Sequence, residues 1–160
     1  MMNTAKFLVV IVSAALSIAT VADEGKAGKP TNSDNQQIQG TWKVVGCYGN
    51  SKVASPEFIE EHPSTMKFAG SSVTTSEKTT ATTQTTTEAT FVLDPSKSPK
   101  QITLTAATGP LKDHPGTFIY ELEKDSLKVA FGAGNSLPNG FDNKDGVQVM
   151  VLERQKEKGK

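Results

Sequence analysis

Short runs of alternating apolar and polar residues, separated by turn-forming residues, constrain this chain more than any other feature of its sequence. In one run, Phe118, Tyr120 and Leu122 alternate with two glutamates. A period of two places such apolar side chains on one face of a β-strand. Eight runs of this kind are predicted as strands: residues 40–48, 65–69, 72–78, 84–93, 101–106, 117–123, 126–132 and 147–154. Since no long helix separates them, the sequence predicts an all-β meander.

The ends of this series suggest that the meander closes on itself. The motif Gly40-Thr41-Trp42 begins the first run, and the apolar run 147–154, near the C-terminus, is the last. Pairing between these two runs would close the sheet into a β-barrel, which removes the exposed edges of an open sheet. In the last run Val149 belongs to one face and Met150 to the other, so this strand is predicted to be covered on both sides.

Two connections have a clear local interpretation. Only Lys124-Asp125 links the runs 117–123 and 126–132, which predicts a tight hairpin. Residues 55–61 are predicted to form the one helix, because Ser55 can cap it and Pro56 suits its first position. Such a helix could cover one mouth of a barrel or form a surface turn, and the sequence leaves both readings open.

The N-terminal residues have the features of a secretory signal peptide. Lys6 precedes the apolar run 7–21, and small residues end that run before the acidic pair at 23 and 24. The run is shorter than the roughly 20 residues that a membrane-spanning helix needs. We therefore expect residues 1–22 to be removed after Ala22 and the protein to be exported, to the periplasm or outside the cell, with no membrane span in the mature chain.

The rest of the chain is predicted to contain one domain. Residues 23–37 are polar and predicted to be flexible, residues 38–155 to form the barrel domain, and residues 156–160 to form a charged tail. Seventeen basic residues balance seventeen acidic ones, with no basic block interleaved with aromatics, so no nucleic-acid partner is expected. Cys47 is the only cysteine, which excludes an internal disulfide, and its apolar neighbours favour a buried, inert thiol.

The segment 74–90 has an unusual composition, with ten threonines in seventeen residues. Threonine is β-branched and favours strands, so the first interpretation is a hairpin with a polar outer face. An ice-binding array of Thr-x-Thr rows and an O-glycosylated tract are alternatives. The first needs several regular rows, and the second is usually rich in proline, which this segment lacks.

The sequence contains no recognisable constellation for catalysis. His62 and His114 are the only histidines and belong to no metal-ligand cluster, so neither a metal nor a cofactor is expected. Residues 142–146 resemble the start of a calcium loop, but Lys144 falls among the ligand positions, and a turn is the better interpretation. A G-x-S-x-G nucleophile motif and phosphate-binding glycine loops are also missing. We therefore expect a protein without catalytic residues.

Four segments resemble an uncharacterised secreted lipocalin-like domain that is expanded in planctomycete bacteria. They are Gln39-Gly40-Thr41-Trp42-Lys43-Val44-Val45, residues 93–105, residues 119–129 and the closing Val151-Leu152-Glu153-Arg154. The resemblance implies a single eight-stranded antiparallel up-and-down barrel with one short helix. It also implies that Gly40, Trp42 and Arg154 close one end, with the Arg154 guanidinium over the Trp42 indole. The family carries no established activity, and the long threonine-rich segment leaves the register of the third and fourth strands open.

A barrel of eight strands has an interior that side chains fill or that holds one small ligand. The leading hypothesis is therefore a non-catalytic module that binds a small apolar ligand. The interior side chains expected to contact it are Val44, Phe91, Leu104, Tyr120, Val129 and Val149. The alternative is a protein-interaction or inhibitor module of the cell envelope, acting through loops such as 135–145. An enzyme is the third hypothesis.

Overall fold

The computed structural model describes residues 33–49, 52–78, 83–109, 112–133, 136–142 and 146–156. The predicted signal peptide, residues 23–32 of the leader, the end of the charged tail and parts of the loop 135–145 lie outside these residues. The elements in chain order are α1 (Ser33–Gln37), β1 (Gly40–Gly49), β2 (Lys52–Val53), α2 (Pro56–Glu61), β3 (Ser64–Ala69), β4 (Ser72–Lys78), β5 (Gln84–Asp94), β6 (Gln101–Ala106), β7 (Pro115–Leu122), β8 (Ser126–Phe131) and β9 (Gln148–Arg154).

Eight of these strands form one closed antiparallel barrel. From β3 to β9 each strand pairs with the next along the chain, and β1 pairs with both β3 and β9, which closes the ring. The two-residue strand β2 pairs only with the end of β1. The predicted up-and-down barrel, with its first and last runs paired, is confirmed.

The predicted hairpin and the predicted helix are also present. At the β7–β8 connection Leu122 pairs with Leu127, and the Glu123 amide donates to the Ser126 carbonyl at 2.8 Å. Helix α2 begins at Pro56, and the Ser55 hydroxyl accepts a hydrogen bond from the Phe58 amide at 3.2 Å, as an N-cap does.

The threonine-rich segment forms the hairpin of β4 and β5. Its register is regular from Ser72 opposite Thr90 to Lys78 opposite Gln84, and residues 79–82 of its tip lie outside the described part of the chain. The preferred interpretation of this segment as a polar hairpin is therefore confirmed for its two strands. Its outer face carries hydroxyl groups in register, such as those of Ser76 on β4 and Thr86 on β5, whose oxygens lie 3.4 Å apart.

Inward-facing side chains of all eight barrel strands make one apolar core. Its fully buried members include large side chains from opposite walls of the barrel: Trp42, Phe68, Ile102, Tyr120, Leu127 and Leu152. Edge-to-face packing of Phe68 on Phe91, with ring centroids 5.1 Å apart, fills the space between β3 and β5.

A second, smaller cluster lies on the outer face of the barrel wall. Ile119, Ala130 and Val149 are buried there, and Phe141 and Val147 from the preceding loop pack over them. The interpretation of the last strand as covered on both sides is therefore confirmed. The assignment of Val149 to the barrel interior is wrong, because Met150 and Leu152 face inward from β9 and Val149 faces outward.

A β-bulge in β1 sets which residues of that strand face inward. The register with β9 shifts between Val44 and Gly46, which leaves Val45 unpaired. Because of this extra residue, both Val44 and Cys47 contact the core although their spacing is odd.

Helix α1 was not expected from the composition. It occupies residues 33–37, inside the segment predicted to be flexible, and Asp34 is buried in it. Its order comes from contacts with the barrel, described below, and not from apolar residues of its own.

Candidate ligand-binding interior

One end of the barrel is sealed by the residues that precede β1. Ile38, directly after α1, is fully buried, and its carbonyl accepts a hydrogen bond of 2.7 Å from the Trp42 indole nitrogen. Trp42 is fully buried as well. We refer to this end, where β1 begins and β9 finishes, as the sealed end.

Arg154 covers the Trp42 indole at the sealed end, as the resemblance implied. Its guanidinium carbon lies 4.2 Å from the centre of the indole ring. The same guanidinium donates hydrogen bonds to three carbonyls, those of Gln37, Gln39 (2.6 Å) and Lys124 (3.2 Å). It therefore joins β9 to the α1–β1 segment and to the β7–β8 hairpin.

Gly40 is required beside this guanidinium for two reasons. Its φ is +109°, a backbone conformation that residues other than glycine rarely adopt. A Cβ at this position would also lie 3.2 Å from a terminal nitrogen of Arg154. The glycine of the Gly-x-Trp motif therefore leaves room for the Arg154 guanidinium beside Trp42.

A buried polar network fixes α1 against the barrel. The Tyr120 hydroxyl donates to Asp34 Oδ2 at 2.7 Å, and the Lys100 ammonium contacts the same oxygen at 2.8 Å. Burial alone would raise the pKa of Asp34, but the hydrogen bonds from Lys100 and Tyr120 outweigh it and hold that pKa below its ordinary value. Burial, reinforced by the Asp34 carboxylate, raises the pKa of Tyr120, so its hydroxyl stays protonated as a donor.

The opposite end of the barrel, where β1 finishes and β3 begins, differs in burial. Here the inward-facing apolar side chains Cys47, Ala89, Leu104 and Phe131 pack against the core but retain part of their surface. We refer to this as the open end. An apolar wall that stays accessible to solvent is the usual lining of a small-molecule site.

The six residues expected to contact a ligand divide between these regions. Val44, Phe91 and Val129 are buried in the core, and Leu104 lies partly exposed toward the open end. Tyr120 faces the interior, but its hydroxyl is bound by Asp34 at the sealed end. Val149 lies outside the barrel.

Polar groups also face the lumen at the open end. Thr75 and Glu77 follow Val73 with a period of two on β4, so they share its inward face, and Glu77 is half-buried. Ser64 on β3 and Thr85 on β5 flank Glu77 in register. Burial, and to a lesser degree the charge of Glu77, raises the pKa of the Cys47 thiol to about 11, which supports the predicted inert thiol.

Helix α2 stands at the rim of the open end. It lies between the end of β1 and the start of β3, and it ends at Glu61, directly before His62. The ring of His62 stacks on that of Phe58, with ring centroids 4.5 Å apart. His62 Nδ1 lies 3.1 Å from the Phe58 carbonyl oxygen. None of the residues of this helix is buried, so its position at the rim leaves both interpretations open.

Sequence reasoning missed Asp34 and Glu77. The alternation Val73, Thr75, Glu77 carries a signal for Glu77, because it places a carboxylate in phase with a core residue. No local signal marks Asp34, whose role depends on a tyrosine 86 positions away. Glu121, by contrast, alternates with the inward-facing Tyr120, faces solvent and pairs with Lys128 at 2.6 Å.

The described residues contain no group of three or more potential metal-ligating side chains. A helix long and apolar enough to cross a membrane is likewise missing from the described part of the chain.

Comparison with known proteins identifies the fold. No protein-family model and no curated protein matches the sequence. A solved structure described as a lipocalin-like protein from Bacteroides uniformis has a TM-score of 0.51 and 11% identity, and the match covers 74% of this chain and 99% of the other. A structure of an uncharacterized protein from Bacteroides eggerthii has a TM-score of 0.46 and 12% identity, over 73% and 98% of the two chains. The closed antiparallel barrel and the match to the Bacteroides uniformis structure together show that the chain has the lipocalin-like barrel fold.

Proposed function

We propose that this protein binds one small apolar molecule, without catalysis, in the open half of its barrel. The observation that carries this proposal is the difference between the two ends. The sealed end is filled by fully buried side chains such as Trp42, whereas apolar side chains such as Leu104 remain accessible at the other end. A lumen closed at one end and apolar at the other suits a ligand that enters in one direction.

The proposal predicts that purified protein binds the fluorescent apolar probe N-phenyl-1-naphthylamine and that Leu104→Trp weakens this binding by about tenfold or more. The larger side chain would occupy the interior near Ala89 of the neighbouring strand, where the probe would lie. Binding is measured by the increase in probe fluorescence on titration with protein. Val92→Trp is the matched control, because Val92 is 69% exposed on the outer face of β5.

Circular dichroism would verify that both variants fold, since an enlarged side chain in a packed region costs about 1–3 kcal/mol. Failure of the wild-type protein to bind any apolar probe would reject a ligand-binding barrel. Equally weaker probe binding in both tryptophan variants would show that the probe binds to the outer surface of the protein. In that case the protein-interaction alternative, acting through the loop 135–145, would become the better hypothesis.

We also propose that the protein is exported and belongs to the secreted lipocalin-like group of planctomycetes that it resembles. The basic residue, apolar run and small residues of the leader support export. The prediction is that protein recovered from the periplasm or the medium of its host begins at Asp23, which N-terminal sequencing can measure. Recovery of the protein with its leader from the cytoplasm would contradict this prediction.

A further inference from the structure

We propose that the ligand of the open end is amphipathic and carries a protonated amine, which the Glu77 carboxylate binds. This inference rests on the proposed function, because it names the class of ligand that the same lumen would take. Three observations support it: the direction of Glu77, the groups around it, and the charges at the rim.

Glu77 lies on the inward face of β4, on the open-end side of the apolar core. It lies four residues after the buried Val73 on the same strand face, which places its backbone about 13 Å farther along β4 in the direction of the open end. Thr75 lies on the same face between these two levels, and Cys47, which packs against the core, is close enough that the charge of Glu77 adds to the effect of burial in raising the pKa of its thiol. A molecule with an apolar body and one polar end can therefore place the body in the lumen and the polar end at Glu77.

The surroundings of Glu77 leave its charge weakly compensated. Burial raises the pKa of its carboxyl group, and only the charge of His62 opposes this effect. Among the described residues, the ion pairs join Asp34 to Lys100, Glu121 to Lys128 and Asp125 to Arg154, and none involves Glu77. A half-buried carboxylate in this situation gains more from a ligand cation than a solvated one does.

The neighbouring side chains suit an ammonium group in particular. An ammonium has three donors and no acceptor, so it needs acceptors beyond a single carboxylate. Hydroxyl oxygens are available on both sides of Glu77, from Ser64 on β3 and Thr85 on β5. A fatty-acid carboxylate would instead meet Glu77 with a like charge, which disfavours its binding.

The rim adds further charges of both signs. Helix α2 carries three exposed glutamates and no basic residue, while Lys52 on β2 and Lys78 at the end of β4 are exposed at the same end. Lys78 follows Glu77 directly, so its side chain leaves the opposite, outer face of the strand. Of the two adjacent charges on β4, that of Glu77 therefore lies on the inward face of the strand.

The experiment compares three probes that share one alkyl chain: dodecylamine, dodecanol and dodecanoate. Each is added at neutral pH, below its micelle-forming concentration, to protein that has bound N-phenyl-1-naphthylamine. The concentration that displaces half of this probe is measured from the loss of its fluorescence. We expect dodecylamine to compete at about tenfold lower concentration than dodecanol, because a charge-assisted hydrogen bond adds this much affinity, and dodecanoate to compete least well.

The variant Glu77→Gln is expected to remove the advantage of dodecylamine and to leave dodecanol unchanged. Glu88→Gln is the matched control, because Glu88 lies on the exposed outer face of β5 opposite Thr74 and should not change the order of the probes. Equal competition by amine and alcohol in the wild-type protein would overturn the inference while the apolar site stands. Loss of the amine advantage in Glu88→Gln would also overturn it, whereas failure of every probe would reject the apolar site itself.

Discussion

Replacement of Arg154 by alanine is expected to lower the free energy of unfolding by about 3–5 kcal/mol. The change removes the guanidinium from the Trp42 ring, 4.2 Å away, and leaves three carbonyls without their donor. Those carbonyls belong to the α1–β1 segment and to the β7–β8 hairpin, so one substitution loosens two parts of the sealed end at once.

Chemical denaturation followed by the fluorescence of Trp42, the only tryptophan, measures this effect. Arg154→Lys should recover only a small part of the loss, because an ammonium cannot reach three carbonyls in a planar arrangement or stack as a guanidinium does. Lys43→Ala removes a positive charge from the exposed outer face of β1, next to Trp42, and should cost less than about 1 kcal/mol. A loss for Arg154→Ala no larger than that of Lys43→Ala would show that the stack contributes little.

Replacement of Asp34 by alanine is expected to cost about 2–4 kcal/mol, because it leaves the buried Tyr120 hydroxyl without its acceptor. Glu121→Ala is the matched control, since it also breaks a lysine–carboxylate pair of similar length. The Glu121 side chain is 45% exposed and that of Asp34 is 11% exposed, so the control should cost less than about 1 kcal/mol. Equal losses for the two variants would contradict a structural role for the network.

The same network predicts how stability depends on pH. The folded protein lowers the pKa of Asp34, so its contribution is complete above the unfolded value of about 3.9 and is lost as the pH falls through the lower, folded value. The wild-type protein should therefore lose stability below about pH 4. Asp34→Asn should flatten this part of the profile, which denaturation at a series of pH values measures. An unchanged slope in that variant would assign the acid sensitivity to other carboxylates.

The strands were predictable because, along most of the barrel wall, one face is exposed to solvent and the other is buried in the core. In β7 the alternation of Tyr120 with Glu121 gives the side-chain directions as well as the strand itself. Helix α2 was predictable because its signals, the Ser55 cap and Pro56, are local. In these elements the tertiary environment agrees with the local pattern.

The incorrect assignments have physical causes. Both faces of β9 are apolar, so its pattern could not tell which of Val149 and Met150 faces inward. The bulge at Val45 adds to this difficulty, because it changes the phase of the partner strand. Helix α1 was missed because a polar pentapeptide becomes ordered only through Asp34, Tyr120 and Lys100, which are distant in sequence.

The position of the sealed end has a practical consequence for handling the protein. Ser33 begins the helix that plugs this end, and the segment after β9 leaves from the same place, where the Gln155 amide bonds the Thr41 carbonyl. Immobilisation on a sensor chip through a residue near either extremity of the domain, such as Lys156, would therefore leave the lumen pointing into the flowing sample.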